Sequence, residues 1–223
     1  MKKIVVAVDG PAGSGKSSVS RQAAVALGIK YIDSGAIYRS ITWYVLKRDG
    51  SVAKDFAFTP DIAGMDIRQE FLPDGSSLTC VNGTDVTRLI RDEEIARNIG
   101  IISDDRDVRG HVNAMLRTWA REDSIIMDGR DIGSVVFPDA DLKIYLDASV
   151  EVRAGRRIKE YRELGKNVDE NLIKKQIIQR DEQDTRRPFG ALVRARDAVY
   201  IDTSDMPMDQ VINRIKELVL QIR

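Results

Sequence analysis

The sequence predicts an α/β protein built on a parallel sheet, and three observations carry that reading. An unbroken apolar run, Ile4-Val5-Val6-Ala7-Val8, stands near the start and suits a strand buried on both faces. It leads through Asp9 into a glycine-rich stretch, Gly10-Pro11-Ala12-Gly13-Ser14-Gly15-Lys16-Ser17, and then into a helical pattern that continues to Leu27. Further short apolar runs at Ile29–Asp33, Ser124–Asp128, Leu142–Leu146 and Ala198–Asp202 are separated by helical patterns, the rhythm of strands joined by helices.

The first strand, glycine loop and helix give the glycine stretch its meaning. It fits the P-loop spacing: a glycine, four free positions, then Gly-Lys-Ser. From average composition, a chance match in a chain of this length arises about once in a hundred, before the flanking strand and helix are counted. Glycines let the backbone curl so that N–H groups point inward at phosphate oxygens. The helix start adds the positive end of its dipole. Lys16 is placed to reach the β- and γ-phosphates, and Ser17 to meet a magnesium ion.

Composition narrows the field. A chain of 223 residues with 43% apolar content can build one large domain, or one core with a small insert. Thirty-five basic residues balance 35 acidic ones, which argues against nucleic-acid binding by bulk charge. Cys80 is the only cysteine and His111 the only histidine. A disulfide framework, a cysteine or histidine zinc site and a Ser-His-Asp triad are therefore not expected. The opening apolar run is too short for a signal peptide, and no run approaches a membrane span. The expectation is a soluble, cytoplasmic protein.

In chain order, helix one carries Val19, Ala23, Ala26 and Leu27 on one side and stops at Gly28. The second strand ends in Asp33-Ser34-Gly35-Ala36-Ile37-Tyr38-Arg39, where Ser34 can cap the next helix. A serine, a tyrosine and an arginine at a helix start fit a second anion site and, equally, an ordinary capped helix. From about 58 to 98 the texture changes. Met65–Phe71 alternates with period two, Pro73-Asp74-Gly75 reads as a turn, Leu78–Val81 as a strand, and Asn82-Gly83 as a hairpin turn. This is an antiparallel insert with one wet face and no chemistry of its own. Two amphipathic helices follow, one lined by Ile95, Ile99 and Ile102, the other by Val108, Val112, Met115, Leu116 and Trp119. Arg109 lies off that second apolar face. His111 lies beside it and receives no role.

Asp128 ends the next buried strand, where a P-loop fold places its magnesium-side carboxylate, and Arg130-Asp131 follow at the ligand edge. A helix runs from Ala148-Ser149 to about Glu163. The segment from Arg153 to Arg196 is dense in arginine. Arg153 and Arg157 share one helical face, and so do Arg180, Asp184 and Arg187 on a helix beginning near Asp169. Arg162 and Arg194 read as solvated surface. A last strand and an amphipathic helix from Met208 to Ile222 close the chain.

Two anion sites thus face one sheet edge: the P-loop, and a group of Ser34, Arg39, Arg130 and Arg109. An arginine-rich segment is placed to close over both. That is the plan of an enzyme moving a phosphoryl group from a nucleoside triphosphate to a second phosphate. The attacking atom is already anionic, so charge neutralisation and in-line positioning suffice without a strong base.

Three segments give the chain a family likeness: Asp33–Arg39, the stretch Asp128-Gly129-Arg130-Asp131-Ile132-Gly133-Ser134-Val135-Val136-Phe137-Pro138-Asp139-Ala140, and Arg180-Asp181-Glu182-Gln183-Asp184-Thr185-Arg186-Arg187. With these the chain resembles the bacterial cytidylate kinases over essentially its whole length. The resemblance implies a P-loop fold of the adenylate-kinase type, with a five-stranded parallel core. It also implies a monophosphate-binding region over about 34–122 that includes the insert, a short lid over 153–187, and a monomer. It implies ATP and CMP or dCMP as substrates, with Mg²⁺. Carried onto matching positions, Gly10 to Ser18 (with Ser17 and Ser18 at the helix start) would cradle ATP. Ser34, Arg109, Asp131 and Arg187 would read cytosine, and Arg39 and Arg130 would hold the acceptor phosphate. Arg180 and Asp184 would contact the pentose, with Arg180 also near the transferred group. Arg153 and Arg157 would be lid arginines facing ATP. The catalytic set is Lys16, Arg130, Arg180 and Asp128, and the metal would take Ser17 and Asp128, directly or through water. One position departs. Gly100 falls where the family usually carries a serine that partners the aspartate at Asp184, and Ser103 is the nearby substitute.

Two other readings set the contrast. A GTPase switch would need an Asn-Lys-x-Asp segment after a late strand, and the chain has none. A UMP-preferring or other small-molecule P-loop kinase is the runner-up. Uracil would set a carbonyl against Asp131 and an N3–H against an arginine donor, which favours cytosine.

Overall fold

The computed structural model describes residues 3–72, 77–163, 165 and 167–223. The opening apolar run forms β1 (Val5–Asp9), and the glycine stretch turns into α1 (Lys16–Leu27), which Gly28 ends. After β2 (Lys30–Asp33), α2 (Ser34–Asp49) begins at the residue expected to cap it. Asp33, not Ser34, is the N-cap, its carboxylate accepting from the Ala36 N–H at 2.9 Å. A short α3 (Pro60–Ala63) precedes the insert, which is β3 (Ile67–Phe71), β4 (Ser77–Val81) and β5 (Thr84–Asp85). Asn82 and Gly83 make the expected hairpin turn at φ 48° and 77°. The expected turn at Pro73-Asp74-Gly75 lies outside the described residues.

A 3₁₀ turn (Leu89–Arg91) leads into α4 (Glu93–Asp104) and α5 (Arg106–Trp119), capped by Asp92 and Asp105. Next come β6 (Ile125–Gly129) and a wide π turn (Ile132–Val136), in which the Asp131 carbonyl accepts from both Val135 and Val136. Sequence patterning gave no sign of that turn. The chain finishes with β7 (Leu142–Asp147), α6 (Val150–Glu163), α7 (Glu170–Arg186), β8 (Val199–Asp202) and α8 (Met208–Gln221).

The main sheet has five parallel strands in the order β2-β6-β1-β7-β8. Alternation along β1 divides the core. Ala7 packs with residues of α2, α4 and α5 on one face, while Val6 and Val8 pack with α1 and α8 on the other. The insert is a separate antiparallel sheet, β3-β4-β5. α6 and α7 enclose a small apolar cluster of their own around Ile158, Ile173 and Ile177.

This topology fixes where chemistry can occur. The order reverses direction at β1, and crevices beyond the carboxyl ends of parallel strands at such a point receive ligands. Here those ends are acidic: β1, β2, β7 and β8 finish in Asp9, Asp33, Asp147 and Asp202, and β6 carries Asp128 one residue from its end. No helix is long and apolar enough to cross a membrane, among the described residues.

Candidate active site

A cleft of about 810 Å³ lies along this edge and is lined by the P-loop, the start of α2, the segment after β6, and residues of α6 and α7. The P-loop leaves β1 at Gly10, where φ is 155° and a Cβ would sit 2.0 Å from the Leu146 carbonyl oxygen, so only glycine fits. Lys16 is buried and donates to the Pro11 carbonyl at 3.0 Å. Burial and the nearby Arg130 charge push its ammonium down to about 7. Asp128, Asp184 and Asp9 pull the other way without prevailing, and an arriving polyphosphate would add the negative charge that favours the ammonium.

The outward carbonyls of the loop are held from the other side. Arg153 donates to Ala12 O at 3.1 Å, and Arg156 and the Thr203 hydroxyl each donate to Ser14 O at 3.2 Å. Arg153 also donates to the Ala148 carbonyl and doubly to Asp181 at 2.9 and 2.6 Å, so protein acceptors already fill its fork. The shared face expected for Arg153 and Arg157 therefore splits in role. Arg153 braces the loop, whereas Arg157 is exposed, stacks 5.4 Å from the Tyr161 ring and lines the cleft.

Asp128 joins the two halves of the cleft. It accepts from the Ser17 hydroxyl at 2.7 Å and the Tyr31 hydroxyl at 2.5 Å, and its backbone carbonyl accepts from Ser34 at 2.7 Å. Ser34 thus points across to β6 instead of capping α2. Burial, then the charge of Asp33, raises the Asp128 carboxyl above its ordinary value. The Ser17 hydroxyl and Asp128 carboxylate are hard oxygen donors of the kind a divalent cation takes beside nucleotide phosphates. Among the described residues no group of three or more His, Cys, Asp or Glu could hold a metal. A cation at Ser17 and Asp128 would draw its other ligands from nucleotide and water.

On the side of the cleft away from the P-loop, three carboxylates organise the arginines. Asp33 binds Arg39 at 3.0 Å and Arg91 at 3.2 Å; burial raises its carboxyl, but the two arginines prevail and the net shift is downward. Arg109 and Asp131 form a buried ion pair, and Arg109 also donates to the Ser103 carbonyl at 3.0 Å. Burial keeps the Asp131 carboxyl raised against the pull of Arg109. Arg109, though off the apolar face of its helix, is only 5% exposed. Its guanidinium sits 5.6 Å from the Tyr38 ring and against Gly190, where φ is 63° and a Cβ would lie 1.8 Å from Nη2. Asp184 is fully buried. Arg130 donates to it at 2.6 Å, while Arg180 and Arg187 approach Oδ1 at 3.2 and 2.8 Å as ion pairs without hydrogen-bond alignment. Burial alone would raise the Asp184 carboxyl, but the three guanidinium charges hold it below its usual range.

Gly100 lies on α4, as counted from the sequence, and no side chain there reaches Asp184. Ser103 does not take over, since its hydroxyl donates to the Gly100 carbonyl at 3.3 Å. The contact from α4 toward α7 is instead an ion pair of Asp104 with Arg187 at 2.8 Å. Two buried polar atoms of cleft-lining residues have neither a hydrogen-bond nor an ion-pair partner among the described residues: Ser14 Oγ at the P-loop and Arg39 Nε across from it. Unsatisfied buried groups are costly, and one at each end of a cleft is what a polar ligand would complete.

Several residues at the site escaped the sequence reading. Asp9 accepts from the Ile132 and Gly133 N–H groups at 2.8 and 2.7 Å and so ties the P-loop strand to the π turn behind Asp131. Burial pushes its carboxyl up to about 6 despite these bonds. Tyr31, Gln69, Arg91, Arg156 and Gly190 act only through tertiary contacts, and none belongs to a contiguous motif.

A P-loop and a group of arginines lining one cleft at the edge of a parallel sheet are the parts of a P-loop kinase, a phosphotransferase. Residues 6–221 match the family described as Cytidylate kinase. A cytidylate kinase of Shouchella clausii (strain KSM-K16) is 40% identical over 214 residues, covering 96% of this chain and 95% of that protein. One of Ligilactobacillus salivarius (strain UCC118) is 39% identical over 220 residues, covering 98% and 97%. A solved structure of an uncharacterized protein from Eubacterium ventriosum ATCC 27560 covers 97% of this chain and 98% of its own, with a TM-score of 0.54 at 13% identity, a likeness of fold alone. The chain belongs to the cytidylate kinase family.

Proposed function

We propose that this protein transfers the γ-phosphoryl group of ATP to CMP or dCMP, giving ADP and CDP or dCDP, with Mg²⁺, and that it works as a monomer in the cytoplasm. The observation that carries the reading is the cleft in which Lys16, Ser17 and Asp128 at one end face Arg130, Asp131, Arg180 and Arg187 at the other, with Asp184 buried behind the arginines. Every group the reaction needs comes from one chain.

In this reading the loop from Gly10 to Ser18 holds the ATP phosphates, and Lys16 bridges the β- and γ-phosphates. Ser17 and Asp128 would hold magnesium, which when bound would supply charge neutralisation on the transferring group. Arg39 and Arg130 hold the acceptor phosphate in line, and Arg180 meets the charge that develops between donor and acceptor. Asp131 accepts from the cytosine amine while Arg109 and Arg187 donate to its ring, with Ser34 beside them. Asp184 holds the pentose side in place, and because Gly100 brings no hydroxyl, pentose reading rests on α7 alone. The segment 153–187 closes over the region 34–122 and excludes water, which keeps transfer ahead of hydrolysis.

The test is ADP release in a coupled assay with ATP, Mg²⁺ and CMP, dCMP, UMP or AMP in turn. CMP is expected to give the largest kcat/KM. ADP release that no monophosphate stimulates would overturn the reading and leave only nucleotide binding at the P-loop.

A further inference from the structure

The inward stripe of the insert strand β3 holds an anomaly. Its alternating positions are Met65, Ile67, Gln69 and Phe71, with Met65 just before the strand. Met65 and Ile67 are buried in the core, and Phe71 packs edge-on against Tyr31 with ring centroids 5.1 Å apart. Gln69 is the one polar residue on the stripe. A side chain directed at the core normally carries no amide unless the amide is matched.

Gln69 is matched by backbone. Its Oε1 accepts from the Asp33 N–H at 3.0 Å, and its Nε2 donates to the Asp33 carbonyl at 2.7 Å. β2 is an edge strand of the main sheet, paired only with β6. At Asp33 its outer N–H and C=O would otherwise be open, and a primary amide reproduces what a neighbouring strand would offer there.

Asp33 is also the hub of the acceptor-side arginines. Its carboxylate caps α2 through Ala36 and binds Arg39, on that helix, and Arg91, from the 3₁₀ turn that directly follows the insert strands within the 58–98 region. The insert therefore reaches this residue twice, at its backbone through Gln69 and at its carboxylate through Arg91. Every rotation of Asp33 would move both guanidinium groups relative to the cleft.

We propose that Gln69 is a positioning residue for the acceptor phosphate: by clamping the Asp33 backbone from the insert, it sets the Arg39–Arg91 pair that receives the monophosphate. The insert, which by sequence carries no chemistry, thereby becomes part of the acceptor site. This rests on the reading of Arg39 as an acceptor-phosphate ligand.

The test is calorimetric binding of CMP and of ATP to the full-length protein, as wild type, Gln69→Leu, Arg39→Met and the double variant. Loss of one buried hydrogen-bonded pair predicts about a tenfold weaker CMP affinity in Gln69→Leu, with ATP affinity within about twofold. Because Gln69 acts through Arg39, the CMP effect of Gln69→Leu should largely vanish in the Arg39→Met background. A residue serving only general stability would weaken both ligands, or would add its full effect to Arg39→Met, and either result overturns the proposal. So does unchanged CMP binding in Gln69→Leu. Should Gln69→Leu fail to fold, Gln69→Glu, which keeps the volume and one acceptor but loses the donor, is read by the same criteria. Failure of the wild type to bind CMP at all would instead refute the acceptor-site reading beneath it.

Discussion

The two ends of the cleft are built by opposite strategies. The donor end is one contiguous stretch, Gly10 to Ser18, whose shape is enforced by backbone: a glycine pressed against the Leu146 carbonyl, and loop carbonyls held by Arg153, Arg156 and Thr203. The acceptor end has no such continuity. Its arginines come from α2, α5, α7, the 3₁₀ turn and the segment after β6, and each is held by a carboxylate: Asp33, Asp131 or Asp184. A backbone cradle offers donors without needing a counter-charge. A cluster of mostly buried or half-buried guanidinium groups would repel itself, so carboxylates must hold it before the ligand arrives. Side-chain substitutions at the donor end, glycines apart, should therefore remove chemistry with little effect on folding, whereas those at the acceptor end should affect affinity and stability together.

The largest effect should sharpen that contrast. Lys16→Met is expected to lower kcat at least a thousandfold, roughly, by analogy with lost transition-state donors, while CMP affinity and melting temperature stay near wild type. Single-turnover rates and calorimetry would check it, and a parallel loss of CMP affinity would break the separation of ends. At the acceptor end, Asp184→Ala leaves Arg130, Arg180 and Arg187 without their shared counter-charge. Breaking a buried pair of this kind costs about 3–5 kcal/mol, so denaturant unfolding should show a clear loss together with weakened CMP binding. A variant with full stability would contradict the idea that carboxylates hold this end together.

A smaller, more local effect is expected at Gly190. A Cβ there would overlap the Arg109 guanidinium, and φ of 63° disfavours other residues. Gly190→Ala should weaken CMP binding about tenfold and leave ATP binding unchanged, as isothermal titration would show.

The smallest effect concerns the junction of the two ends. Asp9 is held up to about 6 by burial, so between pH 4 and 6 the folded protein keeps a proton there that the unfolded chain has released. Its contribution to stability therefore falls as pH rises through that window and is level above it. Asp9→Asn should lose this slope, whatever its constant penalty for replacing an acceptor oxygen facing Ile132 and Gly133 by a donor. Urea unfolding at half-unit pH steps would show the difference between the two curves.

The same contrast explains what the sequence disclosed. The P-loop was legible from spacing and flanking pattern because its function resides in consecutive residues. The parallel core followed from apolar runs, and the insert from its alternation and the Asn82-Gly83 turn. Ser34, Arg39, Arg109, Asp131 and Arg187 became a set only through family resemblance, because their convergence is tertiary. Ser34 was read as a cap from local chemistry, yet Asp33 stands one residue earlier with a side chain that reaches the Ala36 N–H. Gln69 did leave a trace, a polar residue in an otherwise apolar alternation. Arg91, Tyr31 and Gly190 left none, since their partners lie 58, 97 and 81 positions away in the cases of Asp33, Asp128 and Arg109.

The most direct test of the account is the ratio of kcat/KM for CMP over UMP, in the wild type and in Asp131→Ala. A carboxylate that accepts from the cytosine amine is worth roughly 1–3 kcal/mol of discrimination against the wrong base. The account predicts a CMP preference of about tenfold to more than a hundredfold in the wild type, collapsing toward unity in Asp131→Ala as CMP turnover falls. An Asp131→Ala enzyme that keeps the wild-type ratio would contradict it, and would move base reading away from the Asp131–Arg109 pair.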